Sequence, residues 1–309
     1  MAVQEISIVG SGAIGQSLGI IFAVHGIKVT FFDALFEADS SNISKVKNAI
    51  VDRLNASEFP KNADKLFEKI SFAQSLSECV KNADLVYECV FENPEIKQKV
   101  MQDIDKYIST DTIMASSTSC IMPSVLSAGL KHQENFIVAH PVNPPFYLQL
   151  VEIVPAPWTK DYAVQKVKEL MLFVGQKPIC LKKEADGFAL NRVQYAVINS
   201  SWNLVKDGIL DPEDVDSVMV YGLGPRYAAI GPFQTAQTNA PGGFKDYMQR
   251  YEAGMLRVSK DAGFEIEYDK KSFEEISSYL EHKMPVANMA ESIQKRDSVL
   301  KQIKKMKQE

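Results

Sequence analysis

The chain has 309 residues, 46% of them hydrophobic and 24% charged, with a formal net charge of −5. This is the balance of a folded globular protein with room for one large or two medium domains, and it offers no general attraction for nucleic acid or an anionic membrane. No run of about 18 consecutive apolar residues argues for a transmembrane helix. The opening MAVQEISIVG has no basic segment ahead of its first strand pattern, so a secretory signal is not expected and a cytoplasmic location is.

In chain order, residues 6–9 read as a buried strand that runs into Gly10-Ser11-Gly12-Ala13-Ile14-Gly15. Residues 13–25 follow as a helix of small and apolar residues, with Gly26 at the position after its C-cap. Residues 28–32 form a second strand, with Asp33 at its end. Further strands are expected at 85–87, 112–114 and 136–139. Asn93-Pro94 has the form of an N-cap and first helical residue, opening a helix towards Tyr107. Residues 151–154 and 178–181 add strands around a helix at 162–174. Strands alternating with helices predict an α/β fold, a Rossmann-type doubly wound parallel sheet.

After Asp186-Gly187 the pattern becomes helical, with a long helix over 188–206 and a capped start at Asp211-Pro212. The expected division is a sheet domain at 1–185 and an all-helical domain at 186–309. The lysines of residues 301–307 read as a solvated helix face. The four cysteines, Cys79, Cys89, Cys120 and Cys180, contain no CxxC pair, and are expected as buried or partly buried reduced thiols. No metal site is expected.

The glycine hexapeptide matches G-x-G-x-x-G, follows a strand and opens a helix, which is the context a dinucleotide fingerprint requires. Gly10 permits the tight turn, Gly12 lets a pyrophosphate approach the backbone, and Gly15 lets helix and strand pack closely. The free N–H groups of the helix start, through Ala13 and Ile14, then face phosphate charge. Asp33 accepts hydrogen bonds from ribose hydroxyls and repels a 2′-phosphate, so NAD is favoured over NADP. FAD shares the fingerprint, and the loop alone does not separate the two.

Three later segments carry chemistry. Residues 115–120, Ala-Ser-Ser-Thr-Ser-Cys, are hydroxyl-rich directly after a strand, where an open α/β sheet borders its ligand crevice. His140 ends the apolar strand before Pro141-Val142-Asn143-Pro144-Pro145. Glu152 lies within the apolar run Leu150-Val151-Glu152-Ile153-Val154, and a buried acid needs a partner. A histidine at a nearby strand end is a natural one, giving a base whose imidazole is oriented and stabilised when protonated. Gly187-Phe188-Ala189-Leu190-Asn191-Arg192 places the Asn191 amide at the start of the long helix. Each segment also has a plain structural reading, as caps, a core histidine or a helix-end amide.

The order GSGAIG, SSTSC, HPVNPP with LVEIVP, and GFALNR resembles the 3-hydroxyacyl-CoA dehydrogenase superfamily. STSCIMPS, IVAHPVNPP, GFALNRVQYAVI and GLGPRYAAIGP are most similar to its lambda-crystallin, or L-gulonate 3-dehydrogenase, branch. The resemblance implies that Ser119 binds the reacting oxygen, His140 is the general base, Glu152 orients it and Asn191 completes the site. It further implies that Asn143 contacts cofactor or substrate, that Glu92 and Lys97 contact NAD, and that the protein is a homodimer. Fatty-acid enzymes of the superfamily resemble H-F-F-N-P where this chain has His140-Pro141-Val142-Asn143-Pro144, which favours a small hydroxy acid over a CoA thioester. Arg226 is a candidate bidentate partner for its carboxylate. A 3-hydroxyacyl-CoA or carnitine-type dehydrogenase, and a purely structural crystallin, are the competing readings.

Overall fold

The computed structural model describes residues 3–263 and 269–306. Eight strands form one sheet: β1 (Glu5–Val9), β2 (Lys28–Phe32), β3 (Ile70–Phe72), β4 (Leu85–Glu88), β5 (Ile113–Ser116), β6 (Phe136–Pro141), β7 (Leu150–Pro155) and β8 (Lys177–Cys180), in the order β3-β2-β1-β4-β5-β6-β7-β8. The helices of this part are α1 (Ala13–Val24), α2 (Ala34–Ala38), α3 (Ser41–Ala56), α4 (Ala63–Phe67), α5 (Leu76–Val80), α6 (Pro94–Asp105), α7 (Pro123–Ser127) and α8 (Asp161–Phe173). The strand order reverses between β1 and β4, and the carboxyl ends of those strands therefore open a ligand crevice.

Alternation along the strands builds a core on each face. Ile6, Ile8, Leu85, Tyr87, Ile137 and Ile153 point to one side, and Val9, Val86, Met114, Val138 and Val154 to the other. Side chains of successive strand residues face opposite ways, so strands covered on both faces read as nearly continuous apolar runs.

The sheet is parallel except at one pair: β6 and β7 run antiparallel. The reason is covalent. A parallel neighbour needs a crossover of a dozen or more residues, and only residues 142–149 join these two strands. This reversal puts His140 directly opposite Glu152 in the ladder. The helix α3 and the strand β3 had no sequence reading. Cys79 is buried and Cys89 half-buried, as expected, but Cys120 and Cys180 are exposed, because one follows β5 in a loop and the other lies on the edge strand.

The chain divides into two compact units, 1–194 and 195–309. The division falls inside α9 (Leu190–Lys206), whose first turn belongs with the sheet. The second unit is helical: α10 (Pro212–Ser217), a π-helical stretch Val218–Leu223, α11 (Gly224–Ala229), α12 (Pro232–Thr238), α13 (Gly243–Asp261), α14 (Lys270–Lys283) and α15 (Met289–Met306). Its core gathers Ala236, Phe244, Met248 and Leu280. Asp211 precedes α10 but makes no side-chain cap. Residues 301–306 continue α15, and the lysine side chains of the basic face expected at residues 301–307 lie outside the described residues. Among the described residues, no helix is long and apolar enough to cross a membrane.

Candidate active site

A cleft of about 1320 Å³ opens at the carboxyl ends of β1 and β4. That exceeds the few hundred to 1,000 Å³ or so of ordinary small-ligand pockets, and suits a dinucleotide with a substrate. Gly10, Gly12, Ala13, Ile14 and Asp33 line one end, and Glu92, Ser119, His140 and Asn143 the other.

The glycine loop fits a pyrophosphate on geometric grounds. Gly10 has φ +104°, and a Cβ there would lie 2.6 Å from the Cys89 backbone. A Cβ on Gly15 would lie 2.2 Å from the Gly10 carbonyl oxygen. Gly12 differs, for a Cβ there would meet nothing within 4 Å. It faces open cleft at the N-cap of α1, whose first turn holds no acidic residue and no side-chain cap. Unsatisfied N–H groups and the helix dipole there favour an anion. Asp33 Oδ2 accepts from Ser11 N and Ser11 Oγ, both at 2.8 Å, and Oδ1 accepts from Leu35 N at 3.1 Å. A carboxylate has about four acceptor positions, so one remains for a ribose hydroxyl while the charge still repels a 2′-phosphate. Asp33 thus ties the glycine loop to the end of β2 as well as facing the cleft.

At the other end, His140 Nδ1 and Glu152 Oε2 are 2.8 Å apart, with Glu152 fully buried. Glu152 Oε1 accepts from the backbone N–H groups of Ala189 and Leu190, each at 2.8 Å. Burial pushes the Glu152 carboxyl up, but hydrogen bonds from His140, Leu190 and Ala189 outweigh it and hold the group below the usual carboxylate range. An ionised Glu152 accepts the Nδ1 proton, so the imidazole presents Nε2 as its basic nitrogen. The Phe188 ring lies 6.1 Å from the imidazole, and the residue adopts φ +50°, a conformation that costs a non-glycine residue about 1–3 kcal/mol and concentrates at functional sites. It turns the chain so that the next two N–H groups reach Glu152.

Ser119 is held from two sides. Its N–H and Oγ donate to Glu92 Oε1 at 2.8 and 3.1 Å, and its carbonyl accepts from Asn191 Nδ2 at 2.9 Å. Thr118 Oγ1 donates to the same Glu92 oxygen at 2.6 Å. The glycine loop, the Ser119 hydroxyl and the His140 imidazole therefore line one cleft.

The model of the 3-hydroxyacyl-CoA dehydrogenase NAD-binding domain matches residues 5–185, and that of the 3-hydroxyacyl-CoA dehydrogenase C-terminal domain matches residues 187–279. The chain is 37% identical to the lambda-crystallin of Oryctolagus cuniculus over 312 aligned positions, covering 100% of this chain and 98% of that one. The chain belongs to the 3-hydroxyacyl-CoA dehydrogenase family, in its lambda-crystallin branch. An L-carnitine dehydrogenase of Oceanobacillus iheyensis is 36% identical, with 75% of each chain covered. The crystal structure of (S)-3-hydroxybutyryl-CoA dehydrogenase from Ralstonia eutropha superposes with a TM-score of 0.66 at 26% identity, covering 85% of this chain and 95% of that one. The family is one of NAD-dependent oxidoreductases, and NAD is the cofactor that the glycine loop and Asp33 fit.

Within this family frame, the structure brings Ser119, His140, Glu152 and Asn191 together in the first unit and puts Asn143 on the cleft wall. Arg226 lies on α11 of the second unit. Asn191 donates to the Ser119 backbone carbonyl and so holds the serine segment. One expectation changes. Lys97 is 1% exposed, absent from the cleft wall, and bonded to Glu88, Glu92 and the Val90 carbonyl. Its ammonium has three donors, all engaged, and none reaches the cofactor cleft.

Sequence reasoning missed Glu88, and named Ser116 only as part of the hydroxyl-rich segment 115–120. Glu88 is fully buried and accepts from Val90 N at 2.7 Å, Ser116 Oγ at 2.6 Å and Lys97 Nζ at 2.9 and 3.1 Å. The available signal was the same one that drew attention to Glu152, an acid inside the apolar run Leu85-Val86-Tyr87-Glu88-Cys89-Val90. Cys89 also lines the cleft, but burial pushes its thiol up to about 12, so it carries no thiolate near neutral pH.

Proposed function

We propose that this chain oxidises the 3-hydroxyl of a small hydroxy acid, L-gulonate to 3-dehydro-L-gulonate, with His140 as the general base. The observation that carries the reading is the buried His140–Glu152 pair opening onto the same cleft as the glycine loop and Ser119. NAD, when bound, supplies the acceptor for the hydride that leaves the substrate carbon. His140 accepts the hydroxyl proton at Nε2, and Glu152 retains the Nδ1 proton in place and stabilises the imidazolium. Ser119 meets the oxygen as it becomes a carbonyl. Proton acceptance by a positioned histidine contributes about 10²–10⁴-fold.

The choice of substrate rests on the lambda-crystallin branch and on Pro141-Val142 in place of bulky aromatics. Arg226, on α11 of the second unit, is the candidate that the sequence offers as a bidentate partner for the substrate carboxylate. Retention of the whole polar constellation favours an enzyme over a purely structural crystallin. The test offers L-gulonate, 3-hydroxybutyryl-CoA and carnitine side by side to the full-length protein with NAD, following NADH absorbance. L-gulonate should give the highest kcat/KM, and Arg226→Lys should raise its KM about tenfold or more by loss of bidentate binding. Carnitine as the better substrate would overturn the choice, and unchanged KM in Arg226→Lys would remove the arginine from it.

A homodimer follows from the same reading. Val193, Ile198 and Trp202 on α9, and Val218 and Val220 after α10, are exposed in the single chain, Trp202 by 71%. Exposed apolar side chains of this kind are what a subunit interface would bury.

A further inference from the structure

We propose that Glu88 is a positioning residue for the Ser119 hydroxyl, acting through Lys97 and Glu92. The catalytic consequence rests on the dehydrogenase reading of Ser119; the positioning itself does not.

Two carboxylates share one ammonium in this cluster. Glu88 at the end of β4 takes Lys97 Nζ on both oxygens, at 2.9 and 3.1 Å. The same nitrogen stands 3.3 Å from Glu92 Oε2 and 3.1 Å from the Val90 carbonyl. Lys97 thus pins one oxygen of Glu92 and leaves the other to collect Thr118 Oγ1, Ser119 N and Ser119 Oγ. The Ser119 proton points at Glu92, and a substrate oxygen receives it only when the hydroxyl turns away. How tightly Glu92 holds that proton depends on how much of the Lys97 charge it receives. Glu88 sets the share by competing for the same ammonium.

The anchoring of Glu88 is elaborate for a packing residue. It accepts from Ser116 Oγ on β5 and from Val90 N, and is wholly screened from water. A buried pair of this kind is a poor source of net stability compared with apolar packing, so its geometry points to orientation. If Glu88 loses its charge, Lys97 is left to Glu92, and the 3.3 Å contact can shorten. Glu92 then swings off Thr118 and Ser119, and the serine loses its fixed direction.

The test compares Glu88→Gln, Ser116→Ala and the double variant Glu88→Gln/Lys97→Met in the full-length protein. Removing a hydrogen bond to a charged group corresponds to about ten- to a hundredfold. Glu88→Gln should lower kcat by about tenfold or more, and Ser116→Ala, the mildest change, by about threefold or more. The double variant removes both buried charges, so its Tm should recover relative to Glu88→Gln while kcat stays at least about tenfold low. Its NADH dissociation constant, read by fluorescence titration, should stay within about threefold of the wild type, since Glu88, Lys97 and Ser116 do not line the cleft. A double variant with wild-type kcat overturns the proposal and leaves the pair merely structural. Lost NADH affinity with retained kcat overturns it in favour of a cofactor contact. If the wild-type protein turned over none of the offered substrates, the function reading would fail alone. A crystal structure of the double variant would then decide the positioning, which is lost as a proposal if Ser119 Oγ still donates to an unmoved Glu92.

Discussion

Glu152→Gln is expected to lower turnover by about 10²–10⁴-fold while leaving NADH binding within a few-fold. The reason lies in the two sides of the carboxylate. Glu152 Oε1 accepts two backbone N–H groups from the start of α9, and Oε2 faces His140 Nδ1. Glutamine has one oxygen. If that oxygen stays on the amides of Ala189 and Leu190, its NH₂ faces Nδ1, which must then become an acceptor. The imidazole proton moves to Nε2, the nitrogen that has to take the substrate proton, and the base is lost through the wrong tautomer. If the amide turns the other way, two backbone donors face a third donor in a buried site, at roughly 1–3 kcal/mol for each unsatisfied group.

Steady-state kinetics with the best substrate and a direct NADH titration separate these effects. Turnover within tenfold of the wild type would remove Glu152 from the mechanism. The same residue gives the protein a signed pH dependence. Its folded-state pKa is depressed, so its stabilisation is fully present above the unfolded glutamate value of about 4.3 and is lost as pH falls through the folded value. Urea unfolding should therefore show the wild type losing more stability than Glu152→Gln as pH falls below about 4.3, and the gap between them should narrow there.

Gly12→Val is expected to abolish cofactor binding without unfolding the protein. Gly12 has φ −70° and a Cβ there meets nothing within 4 Å, so valine enters the folded chain freely. The space it fills is the cleft at the start of α1, where a pyrophosphate must meet the backbone. NADH affinity should fall at least about 100-fold, equivalent to roughly 2.7 kcal/mol, with Tm within a degree or two of the wild type. Gly10→Ala and Gly15→Ala are the controls. Their Cβ atoms would lie 2.6 and 2.2 Å from backbone atoms, and overpacking of this sort costs roughly 1–3 kcal/mol or more. They should lose stability first and affinity as a consequence. If Gly12→Val binds NADH normally, the pyrophosphate does not lie over this loop.

Much of the architecture was legible because its signals are local. The apolar strands, the helix start at Asn93-Pro94, where Asn93 Oδ1 does accept from Ile96 N at 2.8 Å, and the left-handed Gly26 after α1 each depend on a few adjacent residues. The stretch containing α3 and β3 lacked such signals. α3 buries only Ile50 and Leu54 of its sixteen residues, and β3 is three residues long, too short for alternation to show.

The site divides along the same line. The glycine spacing, Asp33 and the presence of a buried acid near His140 belong to the sequence, because a turn that needs glycine and an acid within an apolar run are properties of neighbouring residues. Tertiary structure alone decided that β7 runs against β6 and so puts Glu152 opposite His140, and that Phe188 turns two amides onto that acid. It also decided that Lys97 points inward, to a Glu88 that no motif had marked. Hydrogen-bond partners 9 residues apart, as Lys97 and Glu88 are, or 37, as Ala189 and Glu152 are, are chosen by the packing of the sheet. A lysine whose ammonium is taken by two carboxylates looks, in sequence, like one free to meet a cofactor.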